Sequence, residues 1–306
     1  MKPKVLLIGG GGTLGTYTAY ELLRLGHCVD VLCLEDKVSN DDRLNFYKGS
    51  ATLEYLEELF KKTRYDGIVN FVHYANHKDY IPYHELLSQN TEHLIFLSSY
   101  RVYADLQHPI TESAPQLLDV MTDDLLFQEK EDYALSKSRA ERFLSNNPYP
   151  KNWTVVRPVI SFSDRRLDIN MVSGNEVVEA ARSGKAVKLP VEARNLTAGL
   201  DWAGNSGKLI ANLLFKKECI GEAYTVSSAQ NLTWGEVADI YAELLGVKFE
   251  WVEADFPRDT WNWYYDRAYD RKIDNTKILK ATGLKPTDFK SIKEGVIIEL
   301  KKLGVI

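Results

Sequence analysis

The sequence predicts an α/β fold built on a doubly wound parallel sheet, and three observations carry that prediction. The first is a short apolar run, Val5-Leu6-Leu7-Ile8, followed at once by four consecutive glycines, Gly9 to Gly12. Such a run suits a strand buried on both faces. The second is an apolar spacing from Leu14 to Leu25 that fits one face of a helix and stops at Gly26, a suitable C-cap. The third is the recurrence of strand and helix signals along the first half of the chain, which forces parallel strands through right-handed crossovers.

The glycines satisfy two spacings together, Gly10-x-Gly12-x-x-Gly15 and Gly9-x-x-Gly12-x-x-Gly15. A strand, a glycine turn and a helix in that order let the turn's backbone approach a pyrophosphate, while the helix start supplies free N–H groups and a positive dipole end. The stretch therefore predicts a Rossmann-type dinucleotide site. A second strand runs from Cys28 to Leu34 and ends in Glu35-Asp36, about 20 residues past the glycines, where an acid accepts hydrogen bonds from the adenosine ribose and repels a 2′-phosphate. Lys37 is the only local cation. NAD is thus favoured, with NADP as the alternative.

Further elements follow in order. Arg43–Tyr47 reads as a third strand with Gly49-Ser50 at its end, beside the adenine. Leu53 to Lys62 has helical spacing, Asp66–Val72 reads as a fourth strand, and His93–Leu97 as a fifth that leads into Ser98-Ser99. Between the fourth and fifth strands only one short helix is expected, near Tyr83–Gln89.

Composition fits an enzyme-sized soluble chain. With 306 residues it can bury a substantial core. Net charge is -5 and no basic cluster stands out, which disfavours nucleic acid as partner. No apolar run reaches the length of a membrane span, so a cytoplasmic location is expected. Cys28, Cys33 and Cys219 have no paired spacing and read as reduced thiols. His73, His77 and His84 lack an accompanying carboxylate motif, so no metal is expected.

Tyr133 and Lys137 stand four apart at the start of a helix that continues through Leu144, and therefore share one helix face. An ammonium beside a phenol favours the phenolate, the form a general base requires. The serine pair at the end of the fifth strand lies at the sheet edge where open α/β folds bind ligands.

At this point the chain resembles the extended short-chain dehydrogenase/reductase family, in its NAD-dependent epimerase/dehydratase group. The resemblance rests on the glycine spacing, on FLSSYRVY (Phe96–Tyr103), PITE (Pro109–Glu112), YALSK (Tyr133–Lys137) and VVRP (Val155–Pro158). It implies a catalytic trio of Ser99, Tyr133 and Lys137. The tyrosine exchanges a proton with a sugar hydroxyl or ketone, the serine hydroxyl bonds the reacting oxygen, and the lysine holds the nicotinamide ribose. The cofactor-binding set expected is Gly9, Gly12, Thr13, Leu14, Gly15, Glu35, Asp36, Gly49, Ser50, Val72, His73, Tyr133, Lys137 and Pro158. For substrate it is Ser99, Tyr100, Arg194, Trp261 and Arg267.

Three features depart from the family pattern. Tyr100 and Arg101 occupy places where family dehydratases carry acids, which disfavours a dehydratase. The segment before Ser99 is short, as in the atypical branch, some of whose members bind RNA or lack activity. An acidic insertion spans roughly Gln116–Asp132.

Beyond Pro158 the expected pieces are a helix over Asn175–Ser183 ended by Gly184, a stretch from Leu189 to Leu214 leading into a helix beside the active site, and a strand over Glu222–Val226. A capping box at Thr233 and Glu236 starts a helix through Leu245. Residues 1–160 are read as the dinucleotide-binding domain and 161–306 as a substrate lobe, some segments of which return to the sheet. The aromatic run from Trp261 to Tyr265, flanked by Arg258 and Arg267, reads either as a sugar- or base-stacking surface or as a core plug.

The function expected is NAD-dependent epimerisation of a sugar nucleotide. The alternatives are an NAD(P)-dependent reductase of a keto-sugar or other small carbonyl compound, and a non-catalytic dinucleotide- or RNA-binding protein. A homodimer is one of the oligomeric states this leaves open.

Overall fold

A computed structural model describes residues 2–130, 132–147 and 151–306. In chain order the first half contains β1 (Lys4–Ile8), α1 (Thr13–Arg24), β2 (Cys28–Cys33), β3 (Leu44–Lys48), α2 (Leu53–Lys62), β4 (Gly67–Asn70), α3 (His77–Gln89), β5 (His93–Leu97), α4 (Leu117–Val120), α5 (Leu125–Lys130), α6 (Asp132–Asn146) and β6 (Trp153–Pro158). The second half contains β7 (Ile160–Phe162), α7 (Gly174–Ser183), β8 (Ala186–Pro190), β9 (Leu200–Trp202), α8 (Ala203–Leu213), β10 (Ala223–Val226), α9 (Trp234–Leu245), β11 (Lys248–Val252), α10 (Thr276–Thr282) and α11 (Ile292–Lys302).

The central sheet has seven parallel strands in the order β10-β6-β5-β4-β1-β2-β3. Its period-2 alternation sends Val5 and Leu7 of β1 to one face, where α1 and α8 cover them, and Leu6 and Ile8 to the other, under α2, α3 and α6. Helices on both faces are why these strands read as unbroken apolar runs. Strand order reverses between β1 and β4, so the carboxyl ends of those strands flank the crevice where such sheets take ligands.

Two segments differ from the sequence reading. Helix α3 spans thirteen residues rather than the seven C-terminal ones, because Asn76 caps it, its Oδ1 accepting from the Lys78 N–H at 2.9 Å. Pro82 sits inside, where it forfeits one backbone bond without ending the helix. The insertion folds into α4 and α5, and Phe127 of α5 is fully buried against Tyr265, ring centroids 4.0 Å apart. Truncating a phenylalanine so placed costs about 3–5 kcal/mol, so the insertion is a structural buttress of the aromatic run.

β10 lies at the end of the seven-stranded sheet, beside β6. The remaining chain forms a second core around Trp234, Tyr241, Leu189 and Leu300, with two small parallel pairs, β8 with β11 and β7 with β9. Helix α9 starts at the Thr233–Glu236 capping box and stops at left-handed Gly246. No helix among the described residues is long and apolar enough to cross a membrane.

Candidate active site

The carboxyl ends of β1, β5 and β6 open onto a cavity of about 500 Å3. One wall is the glycine loop and the start of α1, including Gly9, Gly12, Thr13, Leu14 and Gly15; the facing wall includes Ser99, Tyr100, Arg101 and Tyr133. Gly9 has φ +70°, and its N–H donates to Leu32 O at 2.8 Å, turning the chain sharply off β1. At Gly15 a Cβ would lie 2.3 Å from Gly10 O, so the helix seats directly on the loop. At Gly12, by contrast, a Cβ would meet nothing within 4 Å.

Gly12 is the N-cap of α1; no side chain caps this helix and its first turn holds no acid. The orphan N–H groups and the positive helix end therefore face open space, a cradle that fits the diphosphate of a dinucleotide.

The two serines after β5 differ in their partners. Ser98 also lines the cavity, and its hydroxyl donates to buried Glu141, which is itself paired with Arg157. Ser99 lines the cavity, its hydroxyl accepting from the Arg101 N–H at 3.2 Å. Half-buried Tyr133 packs its ring against His73, centroids 4.9 Å apart, with the Arg101 guanidinium 5.3 Å from its own ring centroid.

One turn further, Lys137 is 2% exposed and donates to Leu97 O at 2.6 Å beneath the Phe96 ring. Burial brings this ammonium down to about 8, Glu141 opposing the shift. It is buried behind the cavity wall rather than lining the cavity.

A buried charge cluster forms the far end. Tyr100 donates to Asp266 at 2.5 Å, and Asp266 also pairs with Arg267 and lies 3.7 Å from Arg101 and 3.6 Å from Arg271. Burial alone would raise the Asp266 carboxyl, but the three guanidiniums outweigh it and hold it below the usual carboxylate range.

The remaining residues singled out in the sequence fall into place individually. Glu35 lies over the glycine loop, whereas Asp36 turns outward to pair with Lys48 at 3.2 Å. Gly49 donates to Cys33 O at 2.8 Å, which sets Gly49-Ser50 beside the end of β2. Val72 packs against Gly9, and Pro158 lines the cavity. Tyr100 and Arg267 also reach it.

Two substrate candidates do not. Arg194 is exposed and stacks on Trp251, 5.5 Å from its ring centroid, because the turn after β8 points it toward β11. Trp261 is half-buried against Phe127 and Tyr265, and its neighbour Asn262 lines the cavity instead. Arg166 and Asp266 line it as well and went unrecognised. Arg101 adjoins the serine motif and could have been read as a site residue. Nothing local marks Asp266, whose partners Tyr100 and Arg101 are more than 160 positions away. Among the described residues no three His, Cys, Asp or Glu side chains are grouped to hold a metal ion.

The sequence profile of the NAD-dependent epimerase/dehydratase family matches residues 5–189. The chain belongs to that family. A UDP-glucose 4-epimerase of Lacticaseibacillus casei is 27% identical over 136 residues, a match covering 37% of this chain and 40% of that protein.

Solved structures extend the likeness along the whole chain. An epimerase from Methanothermobacter thermautotrophicus has a TM-score of 0.75 at 17% identity, covering 99% of this chain and 92% of that one. UDP-glucose 4-epimerase from Thermotoga maritima, solved with UDP-glucose, has 0.70 at 16%, covering 98% of each. The enzyme WbmG of Bordetella bronchiseptica, solved with NAD and UDP, has 0.72 at 17%, covering 100% and 97%. At these identities the likeness is one of fold.

Proposed function

We propose that this family member is an NAD-dependent epimerase of a sugar nucleotide, with Tyr133 as the general acid–base. The observation that carries the reading is the shared cavity, which runs from the uncapped start of α1 to Ser99 and Tyr133. The fold relatives solved with NAD and UDP, and with UDP-glucose, support the choice of cofactor and substrate class. NAD supplies the acceptance and return of a hydride.

The chain's own residues do the rest. Gly12 to Gly15 hold the diphosphate at the helix start, and Glu35 accepts from the adenosine ribose. Tyr133 takes the proton of a sugar hydroxyl and later gives it back, while Ser99 hydrogen-bonds the same oxygen. Lys137 keeps a positive charge one helical turn from the phenol, behind the cavity wall.

Dehydration fits less well. Buried Tyr100 has its pKa pushed far up and gives its proton to a bond with Asp266, and Arg101 offers only a guanidinium donor, so neither side chain can expel water.

The test is product analysis of purified protein with candidate UDP-sugars and catalytic NAD. Epimerisation gives a product isomeric with its substrate and no net change in cofactor. A product of altered oxidation state, with stoichiometric cofactor consumption, would make the protein a reductase.

A further inference from the structure

We infer that Arg165 is a latch for the diphosphate of the bound dinucleotide, held ready by Glu35 until the cofactor arrives. The inference rests on the cofactor reading above and adds a residue from outside the nucleotide-binding half of the chain.

Arg165 sits in a tight turn whose ends are tied by reciprocal backbone bonds between Ser163 and Arg166, at 3.0 and 2.9 Å. That turn is fixed twice. Ser163 Oγ is 2.9 Å from Thr13 Oγ1, the first residue of α1, and the Asp164 N–H donates to Glu299 Oε2 at 2.9 Å. The turn is thus pinned beside the helix start that faces the cavity, and it carries the half-exposed Arg165 side chain to the glycine loop.

In the present arrangement its Nη1 donates to Gly11 O at 3.0 Å and to Glu35 Oε1 at 3.3 Å. Lys37 Nζ donates to the same Gly11 O at 2.6 Å. The Glu35 carboxylate rests on the loop, since a Cβ at Gly11 would come within 2.3 Å of its Oε2. Three charges therefore meet over the glycine loop, two cations and one carboxylate, leaving one positive charge over.

The Glu35–Arg165 pair has side-chain exposures of 44% and 47%. An ion pair this wet is worth only about 0–1 kcal/mol and exchanges readily. A diphosphate brings two negative charges, and the guanidinium fork matches its oxygens bidentately. On binding, Glu35 turns to the ribose hydroxyls and Arg165 moves to the diphosphate, while Lys37 stays on Gly11 O. The cofactor is then gripped by the helix start on one side and by the lobe's turn on the other, which suits a reaction that returns its hydride and need not release its dinucleotide.

The experiment is calorimetric titration of adenosine, ADP and NAD into wild type, Arg165→Ala, Arg165→Lys and Glu35→Gln, with thermal melts to verify folding. Arg165→Ala should weaken ADP and NAD about tenfold, as expected for a lost charge-assisted bond, and leave adenosine within about twofold. Arg165→Lys should fall between. Glu35→Gln should move the ratio of adenosine Kd to ADP Kd the opposite way, because it weakens the ribose contact and frees the guanidinium. An Arg165→Ala protein that binds ADP as wild type does, or loses adenosine equally, overturns the latch. A wild type that binds none of the three ligands overturns the cofactor reading and the latch with it.

Discussion

Replacing Gly12 by valine separates the cofactor cradle from the fold, and the structure supplies the magnitudes. Gly12 has φ -79° and ψ -172°, an extended conformation open to any residue, and a Cβ there meets no protein atom within 4 Å. The cost to folding is therefore that of a poor N-cap, about 1 kcal/mol, which lowers Tm by roughly 2–4 °C in a chain of this size. The cost to binding is far larger, because the branched side chain fills the space in which the diphosphate meets the helix N–H groups. A loss of about 3 kcal/mol or more, over a hundredfold in Kd, is expected. Gly15→Ala is the contrasting control: its Cβ would lie 2.3–2.5 Å from the Gly10 backbone, an overpacking that costs on the order of 1–3 kcal/mol of stability. Thermal melts and NAD titration on the two variants make the comparison. A folded Gly12→Val protein with wild-type NAD affinity would refute the cradle.

Two further substitutions probe the chemistry. Tyr133→Phe removes only the proton-carrying hydroxyl, so NAD affinity and Tm should hold while turnover falls by about a hundred- to ten-thousandfold; wild-type turnover would relieve Tyr133 of the role. Lys137→Met should impair turnover, because it removes the positive charge one turn from Tyr133, yet not cost stability at pH 7, since that cation is buried and its burial depresses its pKa to about 8. The sign follows from linkage: between pH about 8 and the ordinary lysine value the unfolded chain binds more protons at this site than the folded one, so wild-type stability gains from Lys137 as pH rises through that window. The variant should lack that gain, and denaturant titrations at pH 7 and pH 9.5 measure it.

What the sequence determined by itself is what depends on near neighbours. The apolar run of β1, the glycine turn, the α9 capping box at Thr233 and Glu236, and the helical face shared by Tyr133 and Lys137 are each written within about ten residues, because hydrogen bonding and periodicity at that range are set by the local backbone. FLSSYRVY marks both Ser98 and Ser99 as site candidates, and both line the cavity, Ser98 donating to Glu141. Helix α3 was legible only in its second half, since Pro82 reads as a breaker and the Asn76 cap that offsets it lies a turn and a half earlier.

Tertiary structure alone decided which charges meet. Asp266 gains its character from Tyr100, Arg101 and Arg271, and Glu35 faces Arg165 across 130 positions, while Asp36 beside it turns to Lys48. Trp261 is half-buried because the insertion folds back to place Phe127 against it. Such pairings are fixed by crossovers that bring distant loops to one sheet edge, and no local pattern of side chains encodes which loop will arrive there.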